Sequence, residues 1–179
     1  MRPSAIRFAA ALSIFGFAFA LALPAAAQRG DDSSRKSKNG RTEGAIAGVD
    51  VAIEYGRPQV RGREIWGQIV PYGKVWRTGA DEATTITFSK DATVEGQKLP
   101  AGTYALFTIP GENEWQVVFN KTARQWGAFE YDAAQDALRV AVKPETGENV
   151  EALDFVVEGD QVVVRWEKVR VGFRVAPAS

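Results

Sequence analysis

The sequence predicts an all-β protein, a single-domain antiparallel β-sandwich that is jelly-roll-like or a squat barrel, with minor helix. Three observations lead to this fold class. Apolar residues occupy every second position in many short runs, and turn residues separate these runs at intervals of about 8–12 residues. No stretch of about 12 residues has the 3.6-residue apolar period of an amphipathic helix.

Residues 1–27 are predicted to be a signal peptide and therefore to lie outside the fold. Two arginines precede an unbroken apolar run from Phe8 to Leu23, and Ala25 and Ala27 match the A-x-A preference of signal peptidase. The run is shorter than the roughly 20 residues that a membrane-spanning helix needs. The chain has no Cys, so no lipid-modified cysteine can follow the leader. We expect a mature protein without a membrane span, periplasmic or secreted.

Residues 28–44 are predicted to be a flexible linker, and the sandwich domain is expected to span residues 45–176. The stretch from Arg29 to Gly44 is polar, rich in Gly and Ser, and free of aromatic residues. A segment of this composition buries too little apolar surface to offset the entropy lost on ordering.

The first predicted strand runs from Val49 to Tyr55, where apolar and polar residues alternate. Pro58 ends it, because proline lacks the N–H that a β-ladder needs. The connection that follows, residues 59–80, is too rich in Gly to be one helix, although residues 64–70 fit a single helical turn. Further strands are predicted at residues 84–88, 92–94, 103–109, 115–120, 137–144 and 151–159.

The sequence patterns of two strands also predict how each strand is placed in the fold. Residues 103–109 are almost continuously apolar, which is expected if both faces of the strand are covered. In the last strand the apolar positions change from even to odd numbers across Glu167 and Lys168, from Val164 to Val169. A one-residue slip turns side chains to the opposite face, so this step predicts a bulge or a corner between sheets.

The chain contains no His and no Cys, and this excludes several kinds of site. Ser-His-Asp and Cys-His nucleophiles are impossible, as are zinc and copper sites built on imidazole or thiolate. No phosphate-binding or EF-hand loop occurs, so we predict no cofactor and no metal. Without the leader the net charge is about −2, and nothing indicates the basic face of a nucleic-acid-binding protein.

Carboxylate acid–base chemistry is the catalysis that remains, with Asp81 and Glu82 as the first candidates. Neighbouring side chains of an extended segment point to opposite faces, so this pair cannot flank one glycosidic bond. A hydrolase of envelope glycans would need a partner such as Glu54 or Glu130. Such a hydrolase is the alternative to a non-catalytic binding function.

The stretch "VWRTGADE" places Arg77 near Asp81 and Glu82 in a Gly-containing loop. Arg77 has two interpretations. In the first, its planar guanidinium binds an anionic ligand and Trp76 lines the base of the site. In the second, Arg77 acts as a clamp that holds the loop in one conformation. As a clamp it would pair with one carboxylate and bond loop carbonyls.

A second cluster comprises Arg57, Arg61 and Arg63, which either attract an acidic glycan or lie in a solvated connection. Among the five tryptophans, Trp115 and Trp166 fall in predicted strands and are expected in the core. The other three, Trp66, Trp76 and Trp126, lie in connections, where they either are exposed or cover one end of the sandwich.

Four motifs, "EYGRPQVRGREIWG", "VPYGKVWRTGADEATTITF", "LPAGTYALFTIPGENEWQVVFNK" and "QWGAFEYD", resemble a bacterial exported family, the domain of unknown function numbered twenty-nine eleven. The resemblance extends from about Ala45 to Val175. It implies an exported and mostly β domain, and it implies no activity, cofactor or catalytic residue.

The sequence therefore predicts a non-catalytic ligand- or partner-binding module of the cell envelope, with a glycan or small anion as the possible ligand. A purely structural envelope protein would instead expose an unpaired strand edge or a large apolar patch. No catalytic residue is assigned. The candidate ligand-binding residues, expected at one end of the sandwich, are Arg57, Arg63, Trp76, Arg77, Glu82 and Trp126.

Overall fold

The computed structural model describes residues 29–178, so the predicted leader lies outside the described residues. Within this range no helix is long and apolar enough to cross a membrane. The strands are β1 (Lys38–Ile46), β2 (Val49–Arg57), β3 (Thr84–Phe88), β4 (Ala92–Val94), β5 (Gln97–Leu99), β6 (Gly102–Ile109), β7 (Trp115–Asn120), β8 (Asp136–Val142), β9 (Glu145–Glu158) and β10 (Gln161–Pro177). A 3-10 turn, Ala133–Gln135, precedes β8.

The strands form two antiparallel sheets that pack face to face. One sheet has the order β1-β2-β3-β6-β7-β8 and the other has the order β5-β4-β10-β9. Neither closes into a barrel, so the predicted all-β sandwich is confirmed in its open form.

The core lies between the sheets and follows from the alternation of apolar residues. Ile53 and Ile86 of the larger sheet are fully buried, and the ring of Phe119 meets that of Phe173 from the smaller sheet at 5.5 Å. Each large side chain buried in this way stabilises the fold by about 1.5–3 kcal/mol.

Strand β1 occupies residues that the sequence analysis places in a flexible linker. The inward positions of β1 include Gly40 and Gly44, where a Cβ atom would come within 2.5 Å of the Tyr55 ring and 2.8 Å of Val157 Cβ. The neighbours fill the space that apolar β1 side chains would take, so β1 lacks the expected alternation. For residues 38–44 the linker prediction is corrected to strand.

The last strand contains the predicted irregularity. β10 pairs with β9 with register shifts between Arg165 and Glu167 and between Glu167 and Val169, and Glu167 has a φ of 55°. This confirms a bulge. The strand does not turn a corner, because β4 and β9, its two partners, belong to the same sheet.

Two other expectations concern the long loop and the strand beneath it. Residues 64–70 form hydrogen-bonded turns without a helix; Val70 N–H donates to Ile65 O at 2.9 Å. Both faces of β6 are covered, as predicted. Leu106 faces the main core, whereas Phe107 packs in a second cluster with Val118, partly closed by loop residues.

Candidate functional site

Four of the five tryptophans meet at one end of the sandwich. The Trp66 ring lies 5.0 Å from Trp115 and 5.8 Å from Trp166, and Trp76 stacks on Trp166 at 5.8 Å with an interplanar angle of 20°. Trp115 and Trp166 are core residues, as predicted, and both are 2% exposed. The indoles of Trp66 and Trp76, which belong to the long loop, pack against this core instead of facing solvent. Among the five tryptophans, Trp126 alone is exposed, at 58%.

A cavity of ≈ 510 Å³ opens beside this cluster, with Trp76 and Trp166 in its wall. Asp81 is the carboxylate among the residues that line it. Because four cations face one carboxylate, the cavity carries a positive potential that favours an anion. The four cationic lining residues are Lys36, Arg61, Arg63 and Arg77.

Arg77 has the most unusual environment of these cations. It is half-buried, and its Nε is buried without a hydrogen-bond partner among residues 29–178. Burial lowers the pKa of the guanidinium, an effect that Asp81 partly opposes. The expectation that Arg77 clamps the loop by pairing with a carboxylate and bonding carbonyls is therefore not met within these residues.

The carboxylate of Glu82 is held instead by two arginines from the segment before β1. Arg29, with a side chain 7% exposed, reaches Glu82 Oε2 at 3.0 Å and donates to Ala80 O at 2.8 Å. Arg35 Nη1 donates to Glu82 Oε2 at 2.7 Å and lies 3.5 Å from Asp81. We call residues 29–37 the N-terminal arm. It performs the clamping that the sequence analysis considered for Arg77.

These contacts fix the charge of Glu82. The hydrogen bond from Arg35 is the largest cause that lowers the pKa of Glu82, from 4.5 to about 2, and the Arg29 charge acts in the same direction. Glu82 is therefore a carboxylate over the whole physiological pH range.

The loop that presents Arg77 has a single, tightly bonded shape. Trp76 exchanges two backbone hydrogen bonds with Thr108 of β6, at 2.8 and 2.9 Å. Thr78 is fully buried with a φ of 50°, which is a strained conformation for a β-branched residue. The Thr84 hydroxyl holds it by donating to Thr78 O at 2.8 Å. Strain of this kind is kept where the surrounding structure over-determines the backbone, often at a binding site.

The predicted site residues are distributed over four places. Arg63, Trp76 and Arg77 line one cavity, together with Arg61. Glu82 faces a neighbouring pocket with Arg29, and Trp126 lies over a depression next to Arg35. Arg57 ties the end of β2 to β9, since its Nε donates to Leu153 O at 3.2 Å.

Sequence reasoning missed the contribution of the N-terminal arm. Lys36 lines the cavity, and Arg29 and Arg35 hold the loop, yet all three belong to the predicted linker. The run "RKSK", with three cations in four residues, is the signal that could have indicated contacts between this polar segment and the acidic residues of the loop.

The described part of the chain contains no group of three or more Asp or Glu residues arranged to hold a metal ion. Comparison with known families gives one match: the family described as "Protein of unknown function (DUF2911)" matches residues 37–175. No curated protein and no solved structure matches the chain.

Proposed function

Since the chain belongs to the DUF2911 family, whose description names no activity, we propose a function from the geometry of the site. The protein is an exported binding module of the cell envelope that holds an anionic ligand in the cavity beside Arg77. It acts by binding and performs no covalent chemistry.

The Nε of Arg77, which is buried without a hydrogen-bond partner among residues 29–178, carries this proposal. Burying a charged group without a partner costs free energy, and proteins rarely keep such a group unless it is used. Arg77 Nε has no partner among residues 29–178, and burial already lowers the pKa of the side chain. A carboxylate, sulfate or phosphate in the cavity would supply the missing acceptor in the planar geometry that guanidinium favours.

The rest of the cavity fits a small organic anion. Its volume of ≈ 510 Å³ lies within the range of sites for small molecules. Lys36, Arg61 and Arg63 add positive charge around Arg77, while the indoles of Trp76 and Trp166 offer an apolar wall. A ligand with an acidic group on a compact ring would match both features.

The carboxylates are poorly placed for the alternative, a glycan hydrolase. Glu82, with a pKa of about 2, is ionised at neutral pH and so cannot donate a proton as a general acid. Arg35 bonds both Glu82 and Asp81, which makes them part of the loop clamp. Of the partners considered, Glu54 is paired with Arg41 and Glu130 is exposed.

The variant Arg77→Met tests the proposal. Met keeps an unbranched apolar side chain and removes a half-buried charge whose burial Asp81 only partly offsets, so we expect thermal stability to stay equal or rise. Affinity for galacturonate or sulfate, measured by titration calorimetry, should fall about 10- to 100-fold, because one charged hydrogen-bonded contact is lost.

The matched control is Arg174→Met. Arg174 is 66% exposed and pairs with Asp160 at 3.7 Å on the outside of β10, so its loss removes the same charge without touching the cavity. It should leave binding unchanged. A collapse of stability in Arg77→Met with unaltered anion binding would show that Arg77 is a clamp, and the proposal would be wrong.

The export part of the proposal rests on the leader pattern of residues 1–27. Mass spectrometry of the protein from its native host should find a mature chain that starts at Gln28. An uncleaved chain recovered from the cytoplasm would contradict it.

A further inference from the structure

A second depression adjoins the Arg77 cavity and contains the exposed indole. It measures ≈ 370 Å³, and Trp126 lies in it beside the polar side chains of Asp31 and Arg35. Lys36 and Asp81 line both this depression and the Arg77 cavity. The two therefore adjoin each other at these residues.

The indole of Trp126 stands on a fixed backbone. Glu82 and Trp126 form a β-bridge, Gly127 N–H donates to Asp81 O at 3.0 Å, and Ala83 N–H donates to Gln125 O at 3.0 Å. The residues on either side of Trp126 are buried, whereas its own side chain is 58% exposed. A large apolar ring held rigidly in solvent loses little entropy when a flat partner stacks on it.

The groups around this indole suit a sugar ring. A pyranose offers an apolar C–H face for stacking and hydroxyl groups around its edge, which both donate and accept hydrogen bonds. Asp31 and Asp81 carry acceptors and Lys36 carries donors, whereas most N–H groups of Arg35 already bond Glu82, Asp81 and Asp31 O. The two carboxylates make an uncharged ring the better match at this position, whereas a nucleic-acid strand would place a phosphate beside them at every nucleotide.

We propose that the site binds an acidic oligosaccharide, with a carboxylated or sulfated sugar at Arg77 and a neighbouring ring stacked on Trp126. This inference rests on the proposed function, because the Arg77 cavity is taken as the anion subsite. It adds a second subsite and commits to the ligand class.

The experiment compares ligand lengths. Titration calorimetry of the mature protein would use galacturonate, its trisaccharide, and disaccharides and tetrasaccharides of unsulfated chondroitin, in which uncharged rings alternate with carboxylated ones. In at least one of the two series, affinity should rise about tenfold with length, since the longer ligand gains the stacking contact. Trp126→Ala should abolish this gain, so that the longer ligands bind no more tightly than the shortest member of the same series.

The matched control is Phe129→Ala. Phe129 is an exposed aromatic residue three positions away, 87% exposed, and it does not line the depression. This variant should keep the gain with length. An equal loss in both variants, or no gain with length in either series, would overturn the inference.

The outcomes separate the two proposals. If galacturonate binds in an Arg77-dependent manner but longer ligands bind no better, the second subsite is wrong and the anion site stands. If no acidic sugar binds at any length, the acidic-oligosaccharide inference fails, and the anion site then depends on the sulfate titration alone. Trp126-dependent binding of oligothymidylate in place of the sugars would replace the oligosaccharide with a nucleic acid and would also overturn the inference.

Discussion

Trp76→Ala is expected to lower the free energy of unfolding by about 3–5 kcal/mol, the usual cost of truncating a large aromatic core residue. Trp76 is 9% exposed and stacks on Trp166, and its indole N–H donates to Gly79 O at 3.2 Å. Its removal would leave a void between the sandwich end and the loop. Chemical denaturation monitored by circular dichroism measures the change.

The same substitution at Trp126 is the internal control for this prediction. Trp126 is 58% exposed, so Trp126→Ala should change stability by no more than about 0.5 kcal/mol. Trp76→Ala should also weaken anion binding, because Arg77 is the next residue in the loop. Equal stability of the two variants would contradict the placement of Trp76 in the core.

Glu82→Ala is expected to destabilise the protein by about 3 kcal/mol, because it leaves the buried guanidinium of Arg29 without its ionic partner. The value is taken from the lower end of the usual range, since the Glu82 side chain is 27% exposed. Arg35 loses its partner as well, so the N-terminal arm should detach.

The effect of Glu82 should depend on pH in a defined direction. Its pKa is about 2 in the folded protein against an ordinary value of 4.5, so the folded state binds fewer protons in this interval. The stabilisation is fully present above about pH 4.5 and is lost as the pH falls towards 2. The difference in stability between the wild type and Glu82→Ala should shrink over that window.

Glu43→Ala provides the comparison for Glu82→Ala. Glu43 also pairs with an arginine, Arg41, but the two side chains are 61% and 50% exposed. An ion pair at such exposure contributes about 0–1 kcal/mol. If the two alanine variants lost the same stability, Glu82 would be an ordinary surface carboxylate and the arm would not be held by it.

The strands were predictable where alternation is strong. Two were not predicted: β5, which has only three residues, and β1, whose lack of a pattern has a physical cause. Strands such as Thr84–Phe88 and Trp115–Asn120 are bounded by turns and carry β-branched or aromatic residues. β1 gives no such signal, because Gly40 and Gly44 face inward where Tyr55 and Val157 already fill the space. When neighbouring strands supply the core side chains, the strand itself can have the small and polar composition that is typical of a linker.

The site was predictable only in part. Arg63, Trp76 and Arg77 lie close in sequence and line one cavity, so local clustering indicated them correctly as neighbours. The partners of Glu82 lie 53 and 47 residues earlier in the chain, and no local pattern indicates contacts of that range. The choice between an exposed and a buried indole at Trp66 and Trp76 likewise depended on how the long loop folds back.

The position of the N-terminal arm has a practical consequence for recombinant work. The family match begins at residue 37, so a gene fragment trimmed to the matched range would omit Arg29 and Arg35 and also Lys36. The shortened product would keep β1 and the sheet that it borders, yet the loop that contains Glu82 would lack the two arginines that bind its carboxylate. Ligand screens should therefore use protein that starts no later than Arg29, since a negative result from the trimmed product would mislead.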